Sequence, residues 1–243
     1  MKKITLSAIV ITSLMIASCD TLNDITKNLP SSSENSSLTN TEVISGLKEA
    51  LGVGISNSVN IASVTDGFLK NSEIRLPFPA DAINVKNKAI EWGFSGQVEK
   101  FETTLNRAAE DAAKSALPIF KNAITSMSIQ DGFAILNGGN GAATNYLKKT
   151  TTAQLTTAFS PIVEQSISKV KLTEYWDPII TKYNQAAPLL GYNKLNPDLN
   201  KYVTEKAIDG LFKLVADEEN KIRQNPGARV TELLQKVFGS IKK

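Results

Sequence analysis

The 243-residue chain has no histidine and a single cysteine, Cys19. That inventory decides first which chemistries are open to it. Ser-His-Asp and Cys-His catalysis need an imidazole to move the proton, and many zinc sites need it as a ligand. No other side chain changes charge near neutral pH without a shifted pKa. One thiol cannot form an internal disulfide. Carboxylates, guanidinium groups, amides and phenols remain. Asn106-Arg107 interrupts an alanine-rich stretch, and the Arg107 fork can grip a carboxylate such as Glu218 or Asp131. Two readings are open: an ion pair joining helices, or an anion-binding cleft lined also by Asn106, Tyr146, Tyr183 and Asn184. Asp217-Glu218-Glu219 places three carboxylates in a row. Adjacent helical positions face different ways, so one can turn inward but all three cannot line one site. A partner such as Glu110 or Asp131 would complete a carboxylate pair for hydrolysis or a divalent metal. The run Asn137-Gly138-Gly139-Asn140-Gly141 stands before a helix, where free N–H groups can bind anions. The Lys-Ser/Thr of a phosphate loop does not follow at the required spacing. A tight connection that uses glycine for positive φ is the plainer reading. No residue pattern implies a cofactor or a metal.

The elements that must position these groups read as helices. From Thr41, a capping residue, Ile44, Leu47, Leu51 and Ile55 recur at spacings of three and four and form one apolar stripe. Gly46, Gly52 and Gly54 weaken this helix or admit a close neighbour, and Asp66-Gly67 marks its end or a turn. Pro77 and Pro79 predict an extended connection over 71–80. A part-helix over 81–92 ends at Gly93-Phe94-Ser95-Gly96. The strongest pattern runs from Gln97 to about Thr125, with Val98, Phe101, Leu105, Ala108, Ala112, Ile119 and Phe120 inward, and Pro118 breaks or bends it. Ser128-x-x-Asp131 resembles a capping box with Asp in place of Glu and opens a short helix through Leu136. Further helices are expected over about 142–168, with Pro161 inside or dividing it, over 173–186, after Asp198, and after Pro226. No strand pattern of any length competes, although small strands could hide in 71–86 or 187–196. The expectation is an all-α fold, an irregular multi-helix bundle forming a single domain over 42–240.

The N-terminus predicts location. Lys2 and Lys3 precede a mostly apolar stretch from Ile4 to Ala17, then small residues and Cys19. This is the layout of a secretory signal peptide. Fourteen residues make a helix about 21 Å long, short of the roughly 20 residues a membrane span needs. Ile16-Ala17-Ser18-Cys19 resembles the lipobox of bacterial lipoproteins. That resemblance implies removal of residues 1–18 and lipidation of the Cys19 thiol. An ordinary secretory signal beside a chance cysteine is the alternative. Residues 19–41 are rich in Ser, Asn and Thr and read as a flexible tether, about 25–30 Å from end to end. Without residues 1–18 the chain carries 25 Lys and Arg against 24 Asp and Glu. Such a balance argues against nucleic acid as a partner.

Several segments together carry a family resemblance: LKEALGVG at 47–54, DGFL at 66–69, LNRAAEDAA at 105–113 and DGFAILNGGNGAATNYLKKTT at 131–151, with AFSPIV at 158–163 and the long run 202–239. In order and type they resemble the domain-of-unknown-function family 4197, bacterial proteins often bearing a lipoprotein signal. The resemblance implies a shared, mostly helical fold and a cell-envelope setting, and no activity. Asn140-Gly141 departs from the acidic residue and Thr expected there, which argues against a cation in that loop.

The reading that follows is an envelope protein held to a membrane by lipid on Cys19, on the periplasmic side of the inner or outer membrane or at the cell surface. Its helical domain would be noncatalytic and would bind an envelope protein, a polymer or a small ligand. The alternative is a histidine-independent hydrolase with paired carboxylates in an interhelical cleft.

Overall fold

The computed structural model describes residues 39–169, 172–191, 193–196, 198–225 and 235. The expected signal peptide, Cys19, most of the expected tether and the helix expected after Pro226 lie outside the described residues. Those described form an all-helical array with no strand among them.

α1 spans Asn40–Ser63. Its cap is Thr39 rather than Thr41, because Glu42 three positions on completes a reciprocal capping box: the Thr39 hydroxyl accepts from Glu42 N–H, and Thr39 N–H donates to the Glu42 carboxylate. Ile44, Leu47, Leu51 and Ile55 are all buried, as the stripe requires. Gly54 faces Glu218 and Ile222 across a helix contact where an added Cβ would touch both. After α1 the chain turns at Asp66, which holds φ +69°, and runs as an extended strap. Ile74, Leu76 and Phe78 point inward while Arg75 and Pro77 are exposed, the two-residue alternation of a strand. A 3-10 turn at Ala80–Ala82 leads into α2, Ile83–Glu91.

The long helix expected over 97–125 is two helices, α3 (Ser95–Ala113) and α4 (Ala116–Thr125). Pro118 explains the position of the break. Its ring collides with the carbonyl four residues earlier, which is Lys114, so the path changes at Lys114–Ser115 rather than at the proline. Ser128 and Asp131 form their capping box and open α5, Ile129–Asn137. α6 runs without interruption over Ala142–Lys169 with Pro161 inside it. α7 is Leu172–Ala186, followed by a 3-10 turn at Ala187–Leu190. Asp198 caps α8, Leu199–Gln224, by accepting from Lys201 N–H.

α8 is the axis of the packing and lies against α1, α3 and α6. Val203, Ala207, Leu211, Phe212 and Val215 form its inner stripe, and Phe212 meets Phe120 edge to face at 5.7 Å. At one end Phe78, Phe101 and Trp176 pack as an aromatic trio. In α7, Trp176 and Ile180 face in, whereas Ile179 is exposed. No described helix is long and apolar enough to cross a membrane.

Candidate functional site

Two of the buried glutamates, Glu110 and Glu219, each anchor a polar clasp. In the first, the Glu110 carboxylate of α3 accepts from Phe68 N–H and Leu69 N–H, both at 3.1 Å, in the turn after α1. Arg107, one turn earlier on α3, donates to Glu110 and to Asp66, each at 2.6 Å. Lys70 closes the set on Asp66. Lys70 and Arg107 hold the Asp66 carboxyl below its ordinary value, and Glu110 and Asp66 raise the Arg107 guanidinium further above its own. Gly67 sits where an added Cβ would lie 2.3 Å from the Ile61 carbonyl, so the turn needs glycine there.

The second clasp closes the glycine loop. Glu219 of α8 accepts from Ala143 N–H (3.1 Å), Thr144 N–H (3.0 Å) and the Thr144 hydroxyl (2.8 Å), the first turn of α6. Arg223, one turn on, donates Nε to Glu219 at 3.0 Å and a terminal nitrogen to the Ile135 carbonyl of α5 at 2.8 Å. Gly139 and Gly141 take φ +74° and +81°, the positive values expected of this loop. A helix start does bind an anion here, and that anion is the chain's own Glu219.

Two amides do similar work on extended chain. Asn106, fully buried, accepts from Leu76 N–H at 2.8 Å and donates to the Leu76 carbonyl at 2.9 Å. The side chain thus supplies the pairing that a neighbouring strand would give to the strap. Asn184 grips Leu195 in the same two-way manner.

The sequence-predicted residues therefore disperse. Asn106 and Arg107 serve the first clasp and the strap, and Arg107 pairs with Asp66 and Glu110 instead of Glu218 or Asp131. The reason is local: Glu110 lies one turn along the same helix, and the turn after α1 delivers Asp66 to it. Asp131 is engaged in its cap, where the Ser128 hydroxyl and N–H lower its carboxyl. Asn137 is exposed at the end of α5. The Tyr146 hydroxyl donates to the Ala123 carbonyl, and burial raises its phenol. Tyr183 is half-buried against the core. Glu218 is buried beside Glu219 but bonds Asn57 and Lys221. Two of the three consecutive carboxylates thus turn inward, each to its own partners, while Asp217 pairs with Lys213 at the surface. Among the described residues no three of His, Cys, Asp and Glu gather as a metal-binding group. Glu219 and Arg223 were missed as a pair. Their four-residue spacing on the inner stripe of α8 was the available signal, since a charge on an apolar face must find a partner.

A family comparison matches residues 37–239 to the description "Protein of unknown function (DUF4197)". The chain belongs to that family. No curated protein and no solved structure matches it. The match spans both clasps of this DUF4197 chain, the strap and the glycine loop. The turn of the first clasp borders a shallow surface depression lined by Ile61, Val64, Asp66, Gly67, Lys70 and Ser72, and a second depression lies between α1 and α4, lined by Lys48, Glu49, Gly52, Lys121, Ile124 and Thr125.

Proposed function

We propose that the protein is a lipid-tethered domain of the bacterial envelope, attached through Cys19 after loss of residues 1–18 and acting as a noncatalytic binding or structural module. The observation that carries the second half is the occupation of the polar interior. Arg107, Glu110, Asn106, Asn184, Glu219 and Arg223 each bond the chain's own backbone or one another. Groups used in this way hold loops in place and do not face a substrate. The sequence supports the first half: a basic start, a short apolar stretch, small residues and the only cysteine, followed by a Ser/Asn/Thr-rich segment. One lipid chain gives marginal membrane binding and more than one gives stable anchoring, so a multiply acylated Cys19 suits a permanent resident.

Mass spectrometry of the amino end of the membrane-extracted protein tests the tether. The expected result is a chain that begins at Cys19 and carries added acyl mass. An unmodified Cys19, or an intact sequence from Met1 in the exported protein, overturns it.

A further inference from the structure

We propose that the corner between α2 and α3 docks against a lipid surface, with Trp92 and Phe94 entering the headgroup region. This rests on the tethered reading above and gives the domain a second membrane contact. Turn residues are ordinarily Gly, Pro, Asn, Asp or Ser. Here two aromatic residues flank Gly93, whose φ of +87° makes the tight reversal. Trp92 is 71% exposed and Phe94 47% exposed. α2 has no buried residue at all. Val85 and Ala89 lean on the core, while Ile83 and Ile90, seven positions apart and so on one face, are exposed at 39% and 42%. Trp92 and Phe94 are thus the apolar side chains of the corner itself, and Ile90 and Ile83 continue a partly exposed apolar face back along α2.

The chemistry of the corner selects its occupant. Trp is the side chain most suited to the boundary between water and hydrocarbon, with an apolar ring body and an N–H that stays hydrated. Lys88, one turn before Trp92, has a side chain 61% exposed, and its long stem can lie along the apolar zone with the ammonium among headgroup phosphates. Lys88 also pairs with Glu91, so there is no excess of positive charge to hold the corner by electrostatics alone. Insertion of the rings must supply the contact, and binding should respond little to salt. Reach is sufficient. Thr39, where the described domain begins, lies twenty positions after Cys19, a length of chain that spans at most about 70 Å. α1 itself is about 36 Å long. A lipid on Cys19 leaves the corner within range of the same surface.

The two tryptophans make the test direct, because Trp176 is buried in the aromatic trio and only Trp92 is exposed. The purified full chain is incorporated into vesicles of phosphatidylcholine and phosphatidylglycerol, with and without bromine at carbons 6 and 7 of an acyl chain. Subtracting the signal of W92F isolates Trp92. The expected result is a blue shift of Trp92 on vesicle addition and loss of roughly half or more of its emission to the bromolipid, little changed by high salt and reduced in F94S and I90S. Trp92 emission that iodide in the water quenches equally with and without vesicles overturns the proposal. So does shielding of Trp92 that rises with protein concentration in the absence of lipid, which would assign the corner to a second copy. The mass of the same preparation separates the two readings. Absence of acyl mass defeats the tether alone, and the bromolipid result on added vesicles still decides the corner.

Discussion

Removing the Glu219 carboxylate is the sharpest probe of the architecture. Glu219 is 7% exposed and satisfies two backbone N–H groups, one hydroxyl and the Nε of Arg223. Glu219→Ala leaves the first turn of α6 without its acceptor and takes the carboxylate from an arginine whose side chain is 13% exposed. A buried donor left without a partner costs about 1–3 kcal/mol, and breaking a buried ion pair from one side costs about 3–5 kcal/mol. These contributions overlap, and Arg223 keeps the Ile135 carbonyl, so the expected total is about 3–5 kcal/mol. In a domain of this size that lowers Tm by roughly 6–20 °C. Glu219→Gln keeps the shape but turns an NH2 toward a backbone N–H of Ala143 or Thr144 or toward the Arg223 Nε–H, none of which can accept, and should lose about 2–3 kcal/mol. Urea unfolding of E219A, R223A and the double variant gives the cycle, with an expected coupling of about 1–3 kcal/mol. Asp209→Ala, at an exposed pair with Lys206, is the control and should stay within about 0.5 kcal/mol. A loss below about 1 kcal/mol for E219A, or additive single variants, refutes the clasp.

Three other outcomes follow from named contacts. Asn106→Leu matches the size of the amide but strips the strap of its two-way bond to Leu76; a loss of about 2–4 kcal/mol is expected by denaturant unfolding, with faster proteolysis between 70 and 80. Gly210→Ala drives a Cβ to 2.8 Å from the Phe68 ring and 3.2 Å from Ile74, and should cost about 1–3 kcal/mol. Gly96→Ala, in open space on α3, should stabilise by about 0.5–1 kcal/mol, so the two should move Tm in opposite directions. For pH, the Asp66 and Asp131 carboxyls are lowered in the folded chain. Their contribution is complete above the ordinary aspartate value of about 3.9 and disappears as pH falls through their folded values. Thermal unfolding from pH 6 to pH 2 should show this decline, and the double variant D66N/D131N should have a shallower acid limb.

The helices were legible wherever an apolar stripe repeated at helical spacing, as in Ile44, Leu47, Leu51 and Ile55, or where a cap stood in sequence, as in Ser128 with Asp131. Pro118 marks a break in the pattern over 97–125, but the break itself falls at Lys114–Ser115 because the proline ring acts on the carbonyl four residues back. Thr39 and Thr41 both stand before the apolar stripe, and the Glu42 carboxylate, three positions after Thr39, decides between them by closing a capping box. The candidate site was less legible. Arg107 pairs with Glu110 and Asp66 rather than with Glu218 or Asp131, and Asp66 is brought to it by a turn 41 positions away, which no spacing encodes. Glu110 and Glu219 stand out in the sequence only as possible members of a carboxylate pair, because periodicity reports which face a residue occupies and not what backbone lies opposite it.

The two clasps share a logic that bears on why charged groups persist in this interior. In each, a glutamate on the inner face of a helix reaches consecutive backbone N–H groups in a neighbouring segment, and an arginine within one turn of it adds a second bond, to Asp66 of that same turn in the first clasp and to Ile135 of α5 in the second. A hydrophobic pair at the same positions would pack as well or better, yet it would leave Phe68, Leu69, Ala143 and Thr144 without an acceptor for their N–H groups, and those cannot be removed by changing side chains. The charge is required because the loops, rich in glycine and short, bring free backbone donors into the core. The arginine is then required because the carboxylate alone would be a buried anion. It follows that the glycine loop and Glu219 form one unit, and that a ligand anion could enter the start of α6 only by displacing a carboxylate held by four donors. A phosphate titration at low millimolar concentration and fixed ionic strength should therefore raise the Tm of Glu219→Ala, in which the same donors stand open, by more than that of the wild type. Equal stabilisation of both proteins would place the anion elsewhere and separate the loop from the function argued for it.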